Sequence, residues 1–263
     1  MPGFLLTMQL TYFGSNGWQL DVAGHRLLID PWLVGSLTFG GQEWFFKGEL
    51  RNPLPLPPSV DGILLSQGLA DHAHVPTLKA FDRTIPVIGS PTAAQVVQGL
   101  GYSQVTTLKP GDRHRLDGIG KGTLDIEAVA GAAVPQTENG YVITVADTQQ
   151  RIYYEPHGFF ESQIHRFAPV DVLITPVVNL GLPLVGPIIQ GYTAGLNLVE
   201  QLRPRYILPT ATGGDVVFSG ILMNLLQTKG TIAEFEAALG ETGSSAILKT
   251  LEAGEVWTLP WLA

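Results

Sequence analysis

The chain has 263 residues, 45% of them hydrophobic and 14% charged, which is enough apolar surface for a sizeable core and too much for a disordered chain. It contains no cysteine, which excludes disulfide scaffolds, thiolate zinc sites and thiol nucleophiles, and it is compatible with the expectation of a cytoplasmic protein. A formal net charge of -8 argues against the broad basic face with which proteins grip nucleic acid, so no nucleic-acid partner is expected.

The amino end, MPGFLLTMQLTYFG, has neither the charged start nor the small-residue cleavage site of a signal peptide, and its apolar run is too short to span a bilayer; it predicts a first strand. MQLTYFG, GWQLDVAG and HRLLIDPWL are short, β-rich and separated by Gly or Asn-Gly turns, as in an antiparallel meander. The Pro-rich NPLPLPPSVDG leads into a strand, ILLSQ. From there strands and helices alternate: a helix over 75–81, the strand IPVIGS, the helix PTAAQVVQGLG and the strand QVTTL. In the second half TLDIEAVAG, NGYVITVAD and QRIYYE predict three strands, VDVLITPV a buried strand, GLNLVEQLRP a helix and RYILPT a further strand. Helices over about 215–226 and 232–239 precede a closing strand, GEVWTL.

The apolar run 177–189 is interrupted by Asn179, Gly181, Pro183, Gly186 and Pro187, so it predicts an apolar loop rather than a transmembrane segment. There is no low-complexity tract, charge block or linker, and the pattern predicts one α/β domain over 1–263 with two related halves. Neither a Gly-x-Ser-x-Gly elbow nor a phosphate-cradling Gly loop with Lys is present.

Taken in order, LLIDPWL, ILLSQGLADH, GYVITVADTQQRIYYEPHG and PRYILPT make the chain resemble the metallo-β-lactamase superfamily over nearly its whole length, most closely its branch of small hydrolases and lactonases. The resemblance implies a four-layer αβ/βα sandwich: two mixed sheets face to face, helices outside, and an active site at one edge. It also implies a His-x-His-x-Asp-His motif after a strand, with further His or Asp ligands from later strand ends. Asp71 and His72 match that motif, while Gln67 and Leu69 stand where its first two histidines would be. The later histidine meets only Gly131, Ala132 and Ala133; the bridging Asp falls at Pro156 and the last histidine at Ala211. Leucine and alanine donate nothing to a metal, so the ordinary two-metal hydrolase is excluded.

Asp71 and His72 remain as catalytic and metal-ligating candidates, but two protein ligands alone do not usually hold a catalytic zinc. Replacements are offered by EPHG: proline holds its predecessor extended, and alternation along IYYEPH puts Tyr153, Glu155 and His157 on one side. A single-metal site of Asp71, His72, His157 and Glu155, holding Zn, Mn or Fe, is one expectation. The other is no ion at all. In that case Asp71 is the N-terminal carboxylate of the next helix, His72 is an imidazole kept neutral by the helix dipole, and Glu155 and His157 stiffen their loop by a hydrogen bond.

By the resemblance Asp30 lies beneath the motif as a carboxylate that orients His72; its plainer reading is a turn before Pro31. Gln67, Ser15 and Thr210 are pocket candidates. Ser15 and Asn16 fall near where relatives carry a His-Ser pair, although Asn-Gly favours a tight turn. His74 faces elsewhere, and His25, His114 and His165 are expected in solvent. The 177–189 segment is a candidate lid, pocket wall, subunit contact or membrane-surface contact.

Two functions follow. One is a hydrolase with a reduced, single-metal site acting on an ester, lactone or related small-molecule bond. The other is a non-catalytic, metal-free descendant that binds an apolar small molecule or a protein partner through the same cleft.

Overall fold

The computed structural model describes residues 7–133, 136–183 and 186–260. Two seven-stranded mixed sheets dominate it. From edge to edge the first runs Val256–Thr258, Gln9–Gly14, Gly17–Val22, His25–Ile29, Gly62–Leu65, Val87–Gly89 and Val105–Thr107. Its pairing is antiparallel up to His25–Ile29 and parallel beyond. The second runs Ile247–Leu248, Tyr206–Pro209, Val172–Thr175, Arg151–Tyr154, Asn139–Val145, Leu124–Ala130 and Arg113–Leu116. Here the first four strands are parallel and the rest antiparallel.

The sheets face each other across a dry layer in which Leu10, Leu20, Leu27 and Leu64 meet Ile126, Ile143, Val172 and Leu208. The helices Val75–Ala80 and Pro91–Gly99 cover the outer face of the first sheet through Leu78 and Val97. Gly191–Leu202 and Ile232–Glu241 cover the second through Leu198, Leu202 and Phe235. The expected four-layer αβ/βα sandwich is therefore present. Central parallel strands such as Gly62–Leu65 and Val172–Thr175 are buried at every position, because both of their faces are covered.

Two stretches differ from expectation. Residues 215–226 form a strand, Val216–Ser219, and only then a short helix, Ile221–Leu225. β-branched and aromatic side chains favour the strand, and Gly220 breaks it at φ +106, where a Cβ would lie 2.5 Å from the Phe45 carbonyl oxygen. The apolar run 177–189 holds a hairpin, Asn179–Leu182 with Gly186–Gln190, extended by Gln227–Lys229 into a three-stranded sheet. A second small sheet joins Val216–Ser219, Lys47–Leu50 and Leu37–Thr38. His25 is buried, with Nε2 2.7 Å from the Gly122 carbonyl oxygen, rather than solvated. Among the described residues no helix is long and apolar enough to cross a membrane.

The loops that carry the candidate residues leave the carboxyl ends of neighbouring strands. Asp30 follows Ile29, the stretch 66–72 follows Leu65, 155–158 follows Tyr154, and Thr210 follows Pro209. In sheets with parallel strands this is the edge where ligands gather.

Gly158 seats one of these loops. It has φ +81, and a Cβ there would lie 2.7 Å from the Gln190 carbonyl, while the Gln190 N–H donates to the His157 carbonyl at 2.8 Å. Gly158→Ala is expected to lower the unfolding free energy by about 2 kcal/mol. Gly240→Ala, on an exposed helical position with open space around it, should raise it by about 0.5 kcal/mol. Urea denaturation of both variants checks the contrast.

Candidate active site

Asp30 is fully buried and its backbone sits in the left-handed region at φ 42. Its carboxylate receives the Ser66 N–H at 2.8 Å, the Ser66 hydroxyl at 2.5 Å, the Tyr154 hydroxyl at 2.7 Å and His72 Nδ1 at 2.8 Å. With Nδ1 donating to Asp30, His72 presents Nε2 to the cleft. There it lies 3.3 Å from Asp71 Oδ2 and 3.4 Å from Asn16 Nδ2. Burial works to discharge His72, but Asp71 and Asp30 overcome it and hold the imidazole well above its ordinary pKa. Burial likewise pushes Asp71 up, yet the charge and hydrogen bond of His72, with the charge of His157, outweigh it and leave the carboxyl at about 2. The space between these carboxylates favours positive charge.

Asp71 is not a helix cap. The helix that follows is capped by His74, whose Nδ1 accepts from the Thr77 N–H and whose Nε2 lies 3.2 Å from the Ser36 carbonyl oxygen. Asp71 Oδ2 faces His72, and its Oδ1 is buried without a partner. Nor is His72 neutralised by the helix dipole, since two carboxylates flank it.

His157 arrives from the second sheet. Its ring centroid lies 4.9 Å from that of His72, and its Nδ1 is paired with the buried carboxylate of Glu138. Gln67 Nε2 donates to the same Glu138 oxygen at 2.8 Å. Glu155 does not join His157 in the cleft. Its carboxylate turns back to accept the backbone N–H groups of His157 at 2.9 Å, of Gly158, and of Phe159 at 3.1 Å. Burial, reinforced by the charge of Glu138, raises Glu155 to about 7 despite those hydrogen bonds. The alternation expected along IYYEPH ends with the strand at Tyr154: Tyr153 packs under the helices of the second sheet, while Tyr154 faces the inter-sheet layer and reaches Asp30.

One ligand atom each from Asp71, His72 and His157 lies within 4.8 Å of the others. This donor set suits a divalent cation. Each imidazole has Nδ1 on a buried carboxylate, a carboxylate–histidine arrangement typical of metal sites; His72 turns Nε2 toward Asp71, whose Oδ1 has no partner.

The remaining candidates line or floor the cleft. Thr210 accepts the Trp18 indole N–H at 3.0 Å and lies 3.3 Å from the Ser15 carbonyl oxygen. Ser15, Asn16 and Ala211 open onto a cavity of about 430 Å³ together with Asp71 and His157. Ser15 at φ 51 and Ala211 at φ 56 are left-handed like Asp30, and the Ala211 N–H donates to the Ser15 carbonyl at 2.8 Å. Such backbone strain concentrates at functional sites. The hairpin 179–190 supplies one wall of the cavity through Leu180, Ile188 and Ile189. Glu138 and Tyr154 also reach the site from the second sheet: Glu138 stands in no motif, and Tyr154 lies in IYYEPH, where alternation singles out its neighbours Tyr153 and Glu155 instead.

Residues 9–211 match the family profile described as "Beta-lactamase superfamily domain". The chain belongs to the metallo-β-lactamase superfamily.

Among relatives, a metal-dependent hydrolase from Azorhizobium caulinodans is 29% identical over 117 residues, covering 43% of this chain and 45% of the relative. One from Paracoccus denitrificans is 30% identical over 110 residues, covering 40% and 44%. The chain thus spans about half the length of these superfamily relatives. Among solved structures, the metallo hydrolase Igni18 from Ignicoccus hospitalis superposes with a TM-score of 0.67 at 19% identity, over 97% of this chain and 100% of that one. An isothiocyanate hydrolase from Delia radicum gut bacteria gives 0.70 at 20%, over 95% and 98%. These share the superfamily fold.

Asp30→Ala strips the acceptor from a backbone N–H, two hydroxyls and an imidazole, all buried. The unfolding free energy is expected to fall by about 3–5 kcal/mol, read by denaturant titration.

Proposed function

We propose that the protein is a single-metal hydrolase in which Asp71, His72 and His157 hold one divalent ion and a small-molecule ester, lactone or related bond is cleaved beside it. The observation that carries this is the convergence of two imidazoles, each with Nδ1 on a buried carboxylate, and a carboxylate oxygen lacking any partner. Zinc, manganese and iron all accept such a nitrogen and oxygen set. Bound there, the ion supplies Lewis acidity, polarising a carbonyl and making water a competent nucleophile near neutral pH.

The chain's own groups prepare that chemistry. Asp30 and Glu138 orient Nδ1 of His72 and His157 toward themselves and so turn the other ring nitrogen of each toward Asp71. Ser66 and Tyr154 fix Asp30, and Gln67 fixes Glu138, so neither imidazole can swing away. Glu155 fastens the turn after His157 through three backbone N–H groups. Asn16, Ser15 and Thr212 place polar groups at the cleft beside Asp71, suited to orienting a substrate carbonyl or its leaving group.

Elemental analysis of the purified protein tests the reading. About one equivalent of metal is expected, falling below about 0.1 equivalent in His72→Ala and His157→Ala. Wild-type protein with less than about 0.1 equivalent at neutral pH would instead support the metal-free, non-catalytic descendant. Glu138→Ala leaves every proposed ligand in place but frees the His157 ring, so metal affinity by competition with a chelator is expected to drop about 10- to 100-fold.

A further inference from the structure

The cavity at the site is unusual in what it lacks. Phe39, Phe46, Leu180, Phe218, Leu222 and Met223 form much of its wall, and among the described lining residues no lysine or arginine occurs; Asp71 and His157 are its only ionisable groups. Alternation along the strand Gln227–Lys229 enforces this. Thr228 faces the cavity, whereas Gln227 and Lys229, on the opposite face, line a separate cavity of about 380 Å³. A phosphate or carboxylate carried on the body of the ligand would therefore lie against apolar walls with no lysine or arginine to receive it.

Both small sheets are arranged to build these walls. The hairpin 179–190 with Gln227–Lys229 provides Leu180, Ile188 and Ile189, and the sheet of Val216–Ser219, Lys47–Leu50 and Leu37–Thr38 provides Leu37 and Phe218. Ser15, Asn16 and Thr212 line the cavity with Asp71 and His157, while Asn179 and Thr228 are the polar residues of the opposite small sheet. An apolar cavity of 150 Å³ accommodates benzene, so about 430 Å³ admits an apolar body of roughly 15 non-hydrogen atoms.

We propose that the site takes an uncharged, mostly apolar ester or lactone whose cleavable bond lies beside Asp71 and His157 and whose acyl or aryl body fills the walled cavity. This rests on the hydrolase reading above. Water adds across the acyl C–O bond: the carbonyl carbon takes the hydroxyl, the alkoxy oxygen takes the proton, and the acid then releases a proton to solvent.

The test is binding, read without turnover. N-phenylnaphthylamine, an uncharged dye that brightens in apolar sites, is bound to the full chain with and without chelator and displaced by hexanol, octanol, decanol and decyl phosphate. In the chelator-treated protein displacement is expected to strengthen up to about fourfold per added methylene, with decyl phosphate at least about tenfold weaker than decanol. Met223→Lys should weaken decanol about tenfold and narrow its advantage over decyl phosphate. Thr228→Lys, at an exposed position of the wall, should narrow that advantage too and tests the same point if Met223→Lys fails to fold. In the chelator-treated protein, decyl phosphate as effective as decanol, or no dependence on chain length, overturns the proposal. Metal content of the protein as purified, before chelator, reports separately on the ion: chain-length dependence in protein purified without metal supports the cavity assignment while sinking the hydrolase reading, and protein purified with metal but lacking that dependence does the reverse.

Discussion

A buried carboxylate must be saturated with donors or it destabilises the fold around it, and Asp30 meets that demand with groups from both sheets. Ser66 and His72 come from the loop after one strand of the first sheet, and Tyr154 from the second. The same group therefore joins the two halves at the site's edge and sets the direction of the His72 ring. It is held in a left-handed backbone conformation that a non-glycine residue adopts only when its surroundings enforce it.

On the other side of the cleft Glu138 stands to His157 as Asp30 does to His72. Gln67 occupies a position where the superfamily motif has a histidine; here its amide holds the carboxylate that orients another histidine from the opposite sheet. Glu155, beside His157 in sequence, contributes differently: it supplies acceptors for a turn whose backbone N–H groups would otherwise be buried without partners.

Around this polar floor the walls come from segments outside the two main sheets. The sheet of Val216–Ser219, Lys47–Leu50 and Leu37–Thr38 and the helix Ile221–Leu225 pack around a small core of Trp32, Leu37 and Phe46, and both small sheets also turn apolar side chains to the cavity. The polar and apolar parts of the site thus come from different sources: the floor from strand ends of the sandwich, the walls from added hairpins.

Local pattern and chain order were enough for a mixed α/β domain with two related halves, and the resemblance to the superfamily implied the sandwich. Alternating and fully apolar runs determine strands that are half or wholly covered, and LLIDPWL, SQGLADH and EPHG mark the loops at their ends. Asp30, Asp71, His72 and His157 could be singled out in that way because each stands in a motif or beside a proline. The strand within 216–219 and the hairpin within 177–189 could not, since apolar residues interrupted by Gly and Pro fit a loop, a hairpin or a short helix equally well until partners are known. Glu138 carries no local signal at all, and Glu155 carries a misleading one. Which carboxylate meets which imidazole depends on how two strands a sheet apart are set against each other, and a side chain two residues away along the chain can turn back on its own backbone instead. Sequence by itself determined the fold and the residue types available at the cleft; only the packing of the two sheets decided which of them share a hydrogen bond, because those contacts join residues far apart in the chain.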